Sequence, residues 1–421
     1  MFSRPSAPVS TSKNILLIID PQNDFTDHPG EKRGSLAVDG ALEDYTKIVN
    51  MLESYPTFFD EIHVSLDTHT SQHIGHPGFW KVISMDSQDT SPTEITEVPD
   101  SIYRLSIDKT NNIITGENIV PEIYSPGTAR NIKVVPREAH LTEYVYEYLK
   151  WFDTAENTHG QRCYIWKQHC IECTFGHQVS EPLKSKLDGM SNKVTYHIKG
   201  QNNLAEMYSI FKAEKPLTNA QMIDENLKKY IYTGSLTNAG ESSKTYTKTY
   251  TEVITLKNLD TQLNETLLKA LLGNRGANQN RVYICGEART HCVKSSVIDL
   301  LEYATNNGYD TTKIFLLKDA TSPIPGTPND ILRIMTGATV DDKTEFEQDE
   351  AKTGFVYSNH NYGKLYNAQA INTIDIAVKA NRIEGGSIKK GKTTKSRTRK
   401  NKKSSRNKRS NNKKPLSKKI R

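Results

Sequence analysis

Little in this chain can staple or anchor it from outside. Its 421 residues include only five cysteines, too few and too scattered for a disulfide framework. No apolar run approaches the length of a bilayer-spanning helix, and the opening stretch from Met1 to Lys13 is polar and contains proline and serine, unlike a secretory leader. These absences predict a protein that is not secreted and works in a reducing intracellular compartment, cytoplasmic or nuclear. Cys170 and Cys173 form a C-x-x-C with no second pair beside it, so packing is expected there before a metal or redox role. Acidic residues are missing from Lys389 to Arg421, which holds 17 of the chain's 55 basic residues. The rest carries 38 basic against 49 acidic residues, a net charge of −11, so the overall +6 hides an acidic body with a basic end. That end is also nearly free of apolar side chains, and residues 386–421 are predicted to stay disordered. Counterion release would bind residues 389–421 to nucleic acid or another polyanion without sequence choice. A nuclear address, a nucleic-acid tether and contact with an acidic surface all fit this composition. The lack of interleaved aromatic residues argues against base stacking on single strands.

The chemistry-bearing residues cluster elsewhere. In VYICGEARTHCVKSSVIDLL, residues 282–301, a short apolar β-branched run closes at Gly286, and apolar residues then recur at Val293, Val297, Leu300, Leu301 and Ala304. The spacing reads strand, tight turn, helix. Cys292 falls at the start of that helix, where unpaired backbone N–H groups and the helix dipole favour thiolate; a thiol pKa lowered by roughly a unit or more is expected. The same N–H groups suit a developing oxyanion. The alternative for a lone cysteine is a small buried hydrophobe.

Two further segments bear on that choice. ILLIIDPQNDF, residues 15–25, reads as a buried parallel strand with Asp20 at its carboxyl end, where open α/β sheets bind ligands. Asp20 is then either a turn cap or a general base. HVSLDTHTSQHIGH, residues 63–76, sets Asp67 and His69 after a second strand, with His73 and His76 close behind. A carboxylate and several imidazoles match the ligand set of zinc or a similar divalent ion.

Together these segments resemble the nicotinamidase and isochorismatase-like cysteine hydrolases. IWKQHCIECTFGHQV, residues 165–179, is similar to the family segment that supplies the last metal histidine, here His169, and GEARTHC matches the family's cysteine turn from Gly286 to Cys292. The strand ending in Lys199-Gly200 resembles the segment carrying the family's catalytic lysine. The resemblance implies Cys292 as nucleophile, Asp20 as its base and Lys199 as the supporting cation. It implies an oxyanion hole at the backbone N–H groups of Ala288 and Cys292 and a cis peptide between Glu287 and Ala288. It implies zinc on Asp67, His69 and His169; His73 matches a histidine that is a ligand in some members and a pocket residue in others. The implied reaction is hydrolysis of a small carboxamide, nicotinamide to nicotinate plus ammonia, through a thioester. Phe25, Phe79, Trp80 and Trp166 are expected pocket walls for a flat ring, or ordinary core. The rivals are an isochorismatase-like hydrolase or other amidase with a different small substrate, and a non-catalytic binding protein acting through its basic tail.

Strands expected at 15–19, 62–66, 193–198, 281–285 and 313–317, each followed by room for a helix, predict a three-layer α/β fold with a parallel sheet covered on both faces. The hydrolase domain is expected over 13–343, after a flexible 1–12 and before an extension at 344–385. Two large insertions interrupt it, at about 84–160 and 214–258. The first, polar and lying between metal elements, reads as a lid or an outer lobe. The second contains SSKTYTKTYTEV, whose alternation suggests a hairpin, and a surface ribbon with no catalytic role is the expectation for it. A homo-oligomer is compatible with all of this.

Overall fold

The computed structural model describes residues 12–30, 33–85, 97–119, 131–231, 259–324, 331–336, 368–373 and 375–376. All lie within the unit Met1–Ala380. The SSKTYTKTYTEV segment, most of the expected C-terminal extension and the basic tail lie outside the described residues, as do residues 1–11.

The centre is a six-stranded sheet of β1 (Asn14–Ile19), β2 (Glu61–Asp67), β8 (Val194–Lys199), β9 (Arg281–Gly286), β10 (Ile314–Leu317) and β11 (Gln369–Ile371). The order is β11-β10-β9-β1-β2-β8, and every pair is parallel. All six residues of β1 are buried, and β10 is buried throughout. That is the pattern of strands covered on both faces, for which continuous Ile/Leu runs are suited. Helices Ala41–Ser54 and Leu183–Asp188 pack together, as do Glu265–Leu272 and Lys294–Asn306; the first and third both touch β9. The chain is therefore a three-layer α/β structure, and all five expected strands are present.

Between β2 and β8 the chain builds a second sheet. Its strands are β3 (Trp80–Met85), β4 (Tyr103–Asp108), β5 (Ile113–Asn118), β6 (Ile132–Pro136) and β7 (Tyr164–Ile165), in the order β3-β6-β5-β4-β7 and all antiparallel. Alternation drives it: in β6, Ile132, Val134 and Pro136 point inward while Lys133 is exposed. Helix Thr142–Trp151 closes this core with Tyr144, Val145, Tyr148 and Leu149, which lie on one face at helical spacing. The first insertion thus carries an outer lobe with its own apolar core. Trp80 is fully buried in it, its indole N–H donating to the Ile74 carbonyl at 2.7 Å.

A buried charge cluster fastens the lobe to the sheet domain. His159, after the lobe helix, donates to Glu214 Oε2 and Asp299 Oδ1, both at 2.8 Å, and Lys212 Nζ lies 3.0 Å from the same Asp299 oxygen. Burial works against the imidazolium, but Asp299 and Glu214 outweigh it and hold the His159 pKa up to about 10, against an ordinary 6.5. The group is therefore protonated only in the folded chain between those values. Its stabilisation is complete below about pH 6.5 and fades as pH rises toward 10. Urea unfolding of wild type and His159→Gln across this range is expected to show a gap widest at the acid end and narrowing with rising pH.

Candidate active site

The site is assembled at the carboxyl ends of β1, β2, β8 and β9. Asp67 and Lys199 are register partners across β2 and β8, and Asp20 directly follows β1. Asp20 is fully buried. Ser65 fixes it twice, accepting from its backbone N–H at 3.0 Å and donating to Oδ1 at 2.6 Å.

Lys199 is the hub. Its Nζ stands 3.0 Å from Asp20 Oδ2, 2.9 Å from Asp67 Oδ1, 3.0 Å from the Met207 carbonyl and 3.6 Å from Cys292 Sγ. Burial opposes its charge, yet Asp20 and Asp67 hold its pKa well above the usual lysine range. Burial also opposes the Asp67 carboxylate, but His69 and Lys199 keep that group well below its ordinary range. Asp20 goes the other way: burial, reinforced by Asp67, prevails over Lys199 and Ser65 and raises it. A raised carboxylate is a better proton acceptor.

Cys292 sits in a five-residue π-helical turn, Arg289–Val293, that leads into helix Lys294–Asn306. The lowered thiol pKa expected from a helix N-terminus does not hold for the resting site. Burial pushes the Cys292 thiol well up, and Asp20 and Asp67 add to this against the pull of Lys199. Burial thus shifts both members of the pair, the Cys292 thiol and the Asp20 carboxyl, toward their protonated forms. The peptide between Glu287 and Ala288, at the entrance to the turn, is cis.

Next to Lys199 lies a histidine cluster. Asp67 Oδ2 is 2.8 Å from His69 Nε2 and 3.4 Å from His169 Nε2. His69, His76 and His169 bring one nitrogen each within 4.8 Å of one another. The opposite nitrogens are held by backbone carbonyls: His69 Nδ1 by Gly200 at 3.0 Å, His169 Nδ1 by Lys167 at 2.8 Å and His76 Nδ1 by Thr70 at 3.1 Å. Metal-binding imidazoles are oriented in this way, with one N–H donated outward and the other nitrogen left as ligand. His73 differs: its Nδ1 accepts from the Gly75 N–H at 3.0 Å and its Nε2 faces the Ala205 carbonyl at 3.1 Å. His73 also meets His69 and Glu206 in a second donor group. Burial first, then Asp67, pushes the Glu206 carboxyl up to about 8.

His76 and Glu206 are absent from the ligand set read from sequence. The histidine-rich loop offered a signal for His76; for Glu206 there was none, because only the path of the chain after Lys199 brings it near. Gln22 and Asp24 were missed as supports. Gln22 bridges Asp67 through both its backbone groups, at 2.7 and 2.8 Å, and Asp24 Oδ2 accepts from the Cys170 N–H at 2.7 Å.

Gly200 has φ +78°, and a Cβ there would lie 2.7 Å from His69 Cε1 and 2.9 Å from Asp67 Oδ1. Gly200→Ala is therefore expected to displace both donors and to destabilise the fold by about 1 kcal/mol or more. Denaturant unfolding of wild type and variant checks this, and a lower midpoint is expected for the variant.

Of the expected pocket walls, Phe25 lies against His169 with ring centroids 5.5 Å apart, and Trp166 packs edge-on to His291 at 5.1 Å. Trp166 donates to the Tyr208 hydroxyl at 3.1 Å. Phe79 packs on Trp80 at 5.1 Å, so this pair joins the lobe core.

No family model matches the chain, and no curated protein matches it. Among solved structures, it is similar to the yeast nicotinamidase Pnc1p bound to the inhibitor nicotinaldehyde, at 17% identity over 85% of this chain and 99% of that one, with a TM-score of 0.37. An Acinetobacter baumanii nicotinamidase/pyrazinamidase gives 14% identity over 88% and 100%, with a TM-score of 0.38. The Pyrococcus horikoshii pyrazinamidase in complex with zinc gives 15% over 86% and 99%, with a TM-score of 0.34. Likeness at this level transfers no role to any residue here.

Proposed function

We propose that this chain is a metal-assisted cysteine hydrolase of small carboxamides, with nicotinamide, cleaved to nicotinate and ammonia, as its first substrate. The observation that carries the reading is the buried ammonium of Lys199, in contact at once with Asp20, Asp67 and the Cys292 sulfur. A binding scaffold gains nothing from burying two carboxylates and a lysine around a thiol. A nucleophile needs both an adjacent base and a cation.

Asp20 takes the proton of Cys292, and Lys199 supports the thiolate as it forms. The sulfur adds to the carboxamide carbon, and the backbone N–H groups of Ala288 and Cys292 would receive the oxyanion. Asp20 returns the proton to the departing ammonia, leaving a thioester on Cys292. Water, deprotonated by Asp20, then releases the carboxylic acid and restores the thiol. Asp67, His69 and His169, with His76 as a further donor, would hold zinc or a similar ion. The donor chemistry and the outward-tied imidazoles fit such an ion. When bound, such an ion would supply Lewis-acid polarisation to a substrate nitrogen or a water. Phe25, beside His169, would face a flat ring placed there.

The test is ammonia release by the zinc-loaded full chain from nicotinamide, pyrazinamide and a panel of aliphatic carboxamides. Turnover of the two heteroaromatic amides above the aliphatic ones is expected. Chelation should abolish it and added zinc restore it; turnover that survives complete metal removal would reject the metal-assisted reading.

The basic end supports a second, separate proposal, that residues 389–421 tether the protein to nucleic acid or another polyanion. Deleting residues 386–421 is expected to abolish salt-sensitive binding to mixed-sequence DNA and leave ammonia release unchanged.

A further inference from the structure

Two buried carboxyl groups that the chemistry above does not use stand behind the turn that carries Cys292. Glu287, fully buried, leads into the turn, and Asp44, also buried, comes from helix Ala41–Ser54. Their side chains are hydrogen bonded to each other. Two carboxylates offer only acceptors, so such a bond requires a proton on one of them. Burial, then Asp44, pushes the Glu287 carboxyl well above its ordinary range, which makes Glu287 the donor. Among the described residues its Oε1 has no other hydrogen-bond partner and is the oxygen left for that proton.

Ser322, beyond β10, closes the arrangement. Its N–H donates to Glu287 Oε2 at 3.1 Å, its hydroxyl donates to Asp44 Oδ2 at 2.5 Å, and its carbonyl accepts from the Arg289 N–H at 2.8 Å. The Glu287 N–H donates to the carbonyl of Ile19, the residue before Asp20, at 2.8 Å. Glu287 therefore ties the entrance of the turn to the end of β1, to the segment after β10 and to helix Ala41–Ser54. The next residue is Ala288, so a shift of Glu287 moves the N–H groups that would receive the oxyanion. An apolar pair would fill the same space without a desolvation cost. What the carboxyl pair adds is direction, since its hydrogen bonds hold only in one geometry.

We propose that Glu287 is a positioning residue for the hydrolysis: its carboxyl, donating to Asp44 and held by the Ser322 N–H, sets the N–H groups of Ala288 and Cys292 where the oxyanion forms. Glu287 touches no reacting atom. The role rests on the carboxamide-hydrolase reading, because only an addition to the carboxamide carbon needs those donors.

The test compares kcat and KM for nicotinamide in zinc-loaded full-length wild type, Glu287→Leu/Asp44→Leu, Glu287→Gln and Ser322→Ala. The double variant is expected to fold, since apolar residues often replace a buried polar pair without loss. Its kcat should fall about 10²-fold with KM within about threefold, because the donors meet the oxyanion only in the transition state. Glu287→Gln can still donate to Asp44 and accept from Ser322, and should keep kcat within about threefold of wild type. Ser322→Ala, at a partly buried residue, should lower kcat about tenfold and keeps the test sound if the double variant fails to fold. Alkylation of Cys292 by iodoacetamide, followed on its peptide by mass spectrometry, needs no amide turnover and should run about fivefold faster or more in the double variant and in Ser322→Ala as the turn loosens. Wild type that releases no ammonia from any amide would reject the hydrolase reading, and the alkylation rates would then decide whether Glu287 places the turn. Wild-type kcat and alkylation in a folded double variant or in Ser322→Ala, a loss confined to KM, or a Glu287→Gln as impaired as the double variant would each overturn the proposal.

Discussion

Cys292→Ala is expected to abolish ammonia release from nicotinamide, by roughly 10⁴-fold or more, while the protein stays folded and keeps its metal. Removing a covalent nucleophile removes the reaction path and not only one contact, so its effect is near the full catalytic gain of the unit. The fold should tolerate the change because Cys292 makes its contacts within a turn held by backbone bonds: the N–H groups of His291 and Val293 both reach the Ala288 carbonyl, at 3.0 and 3.2 Å. Steady-state ammonia assays beside circular dichroism and metal analysis separate the two readouts. Substantial turnover by the alanine variant would remove Cys292 from the chemistry.

Lys199→Met is expected to fail in both function and stability. The substitution keeps much of the side-chain volume but leaves the Asp20 and Asp67 carboxylates buried without the ammonium that sits 3.0 and 2.9 Å from them. Breaking a buried charge cluster by removing one partner costs about 3–5 kcal/mol. Denaturant midpoints at neutral pH should show this loss. Adding Asp20→Asn to Lys199→Met should recover part of the stability, since one uncompensated carboxylate is gone, yet restore no turnover because the base is gone too. Full stability in the single variant would mean that the three charges are not coupled as their geometry implies.

The parallel sheet was legible because β1, β9 and β10 are short, largely apolar runs, and because Asp20, Asp67, Lys199 and Cys292 follow or end expected strands. In a parallel sheet, the carboxyl ends of neighbouring strands meet in space whatever their separation along the chain. That is why Asp67 and Cys292, 132 and 93 positions from Lys199 along the chain, converge on its ammonium. The lobe was harder to read. The burial of β4 and β5 alternates residue by residue, with serine, threonine, arginine and glutamate among the outward positions, and in sequence that is hard to tell from a polar connector. The link of His159 to Glu214 and Asp299 spans 55 and 140 positions and leaves no local pattern. The direction of the Cys292 shift was misjudged for a related reason. The helix N-terminus is a local feature, but the burial and the two carboxylates that prevail over it arrive from other strands.

The central claim is that Cys292 attacks the carboxamide carbon and carries the acyl group. Single-turnover mixing of excess zinc-loaded full-length protein with nicotinamide, quenched in acid and digested for mass spectrometry, tests it most directly. The account predicts a nicotinoyl thioester on the peptide bearing Cys292, appearing with ammonia and then decaying to nicotinate. Ammonia release with the acyl group on no cysteine, or on Cys170 or Cys173, would contradict it.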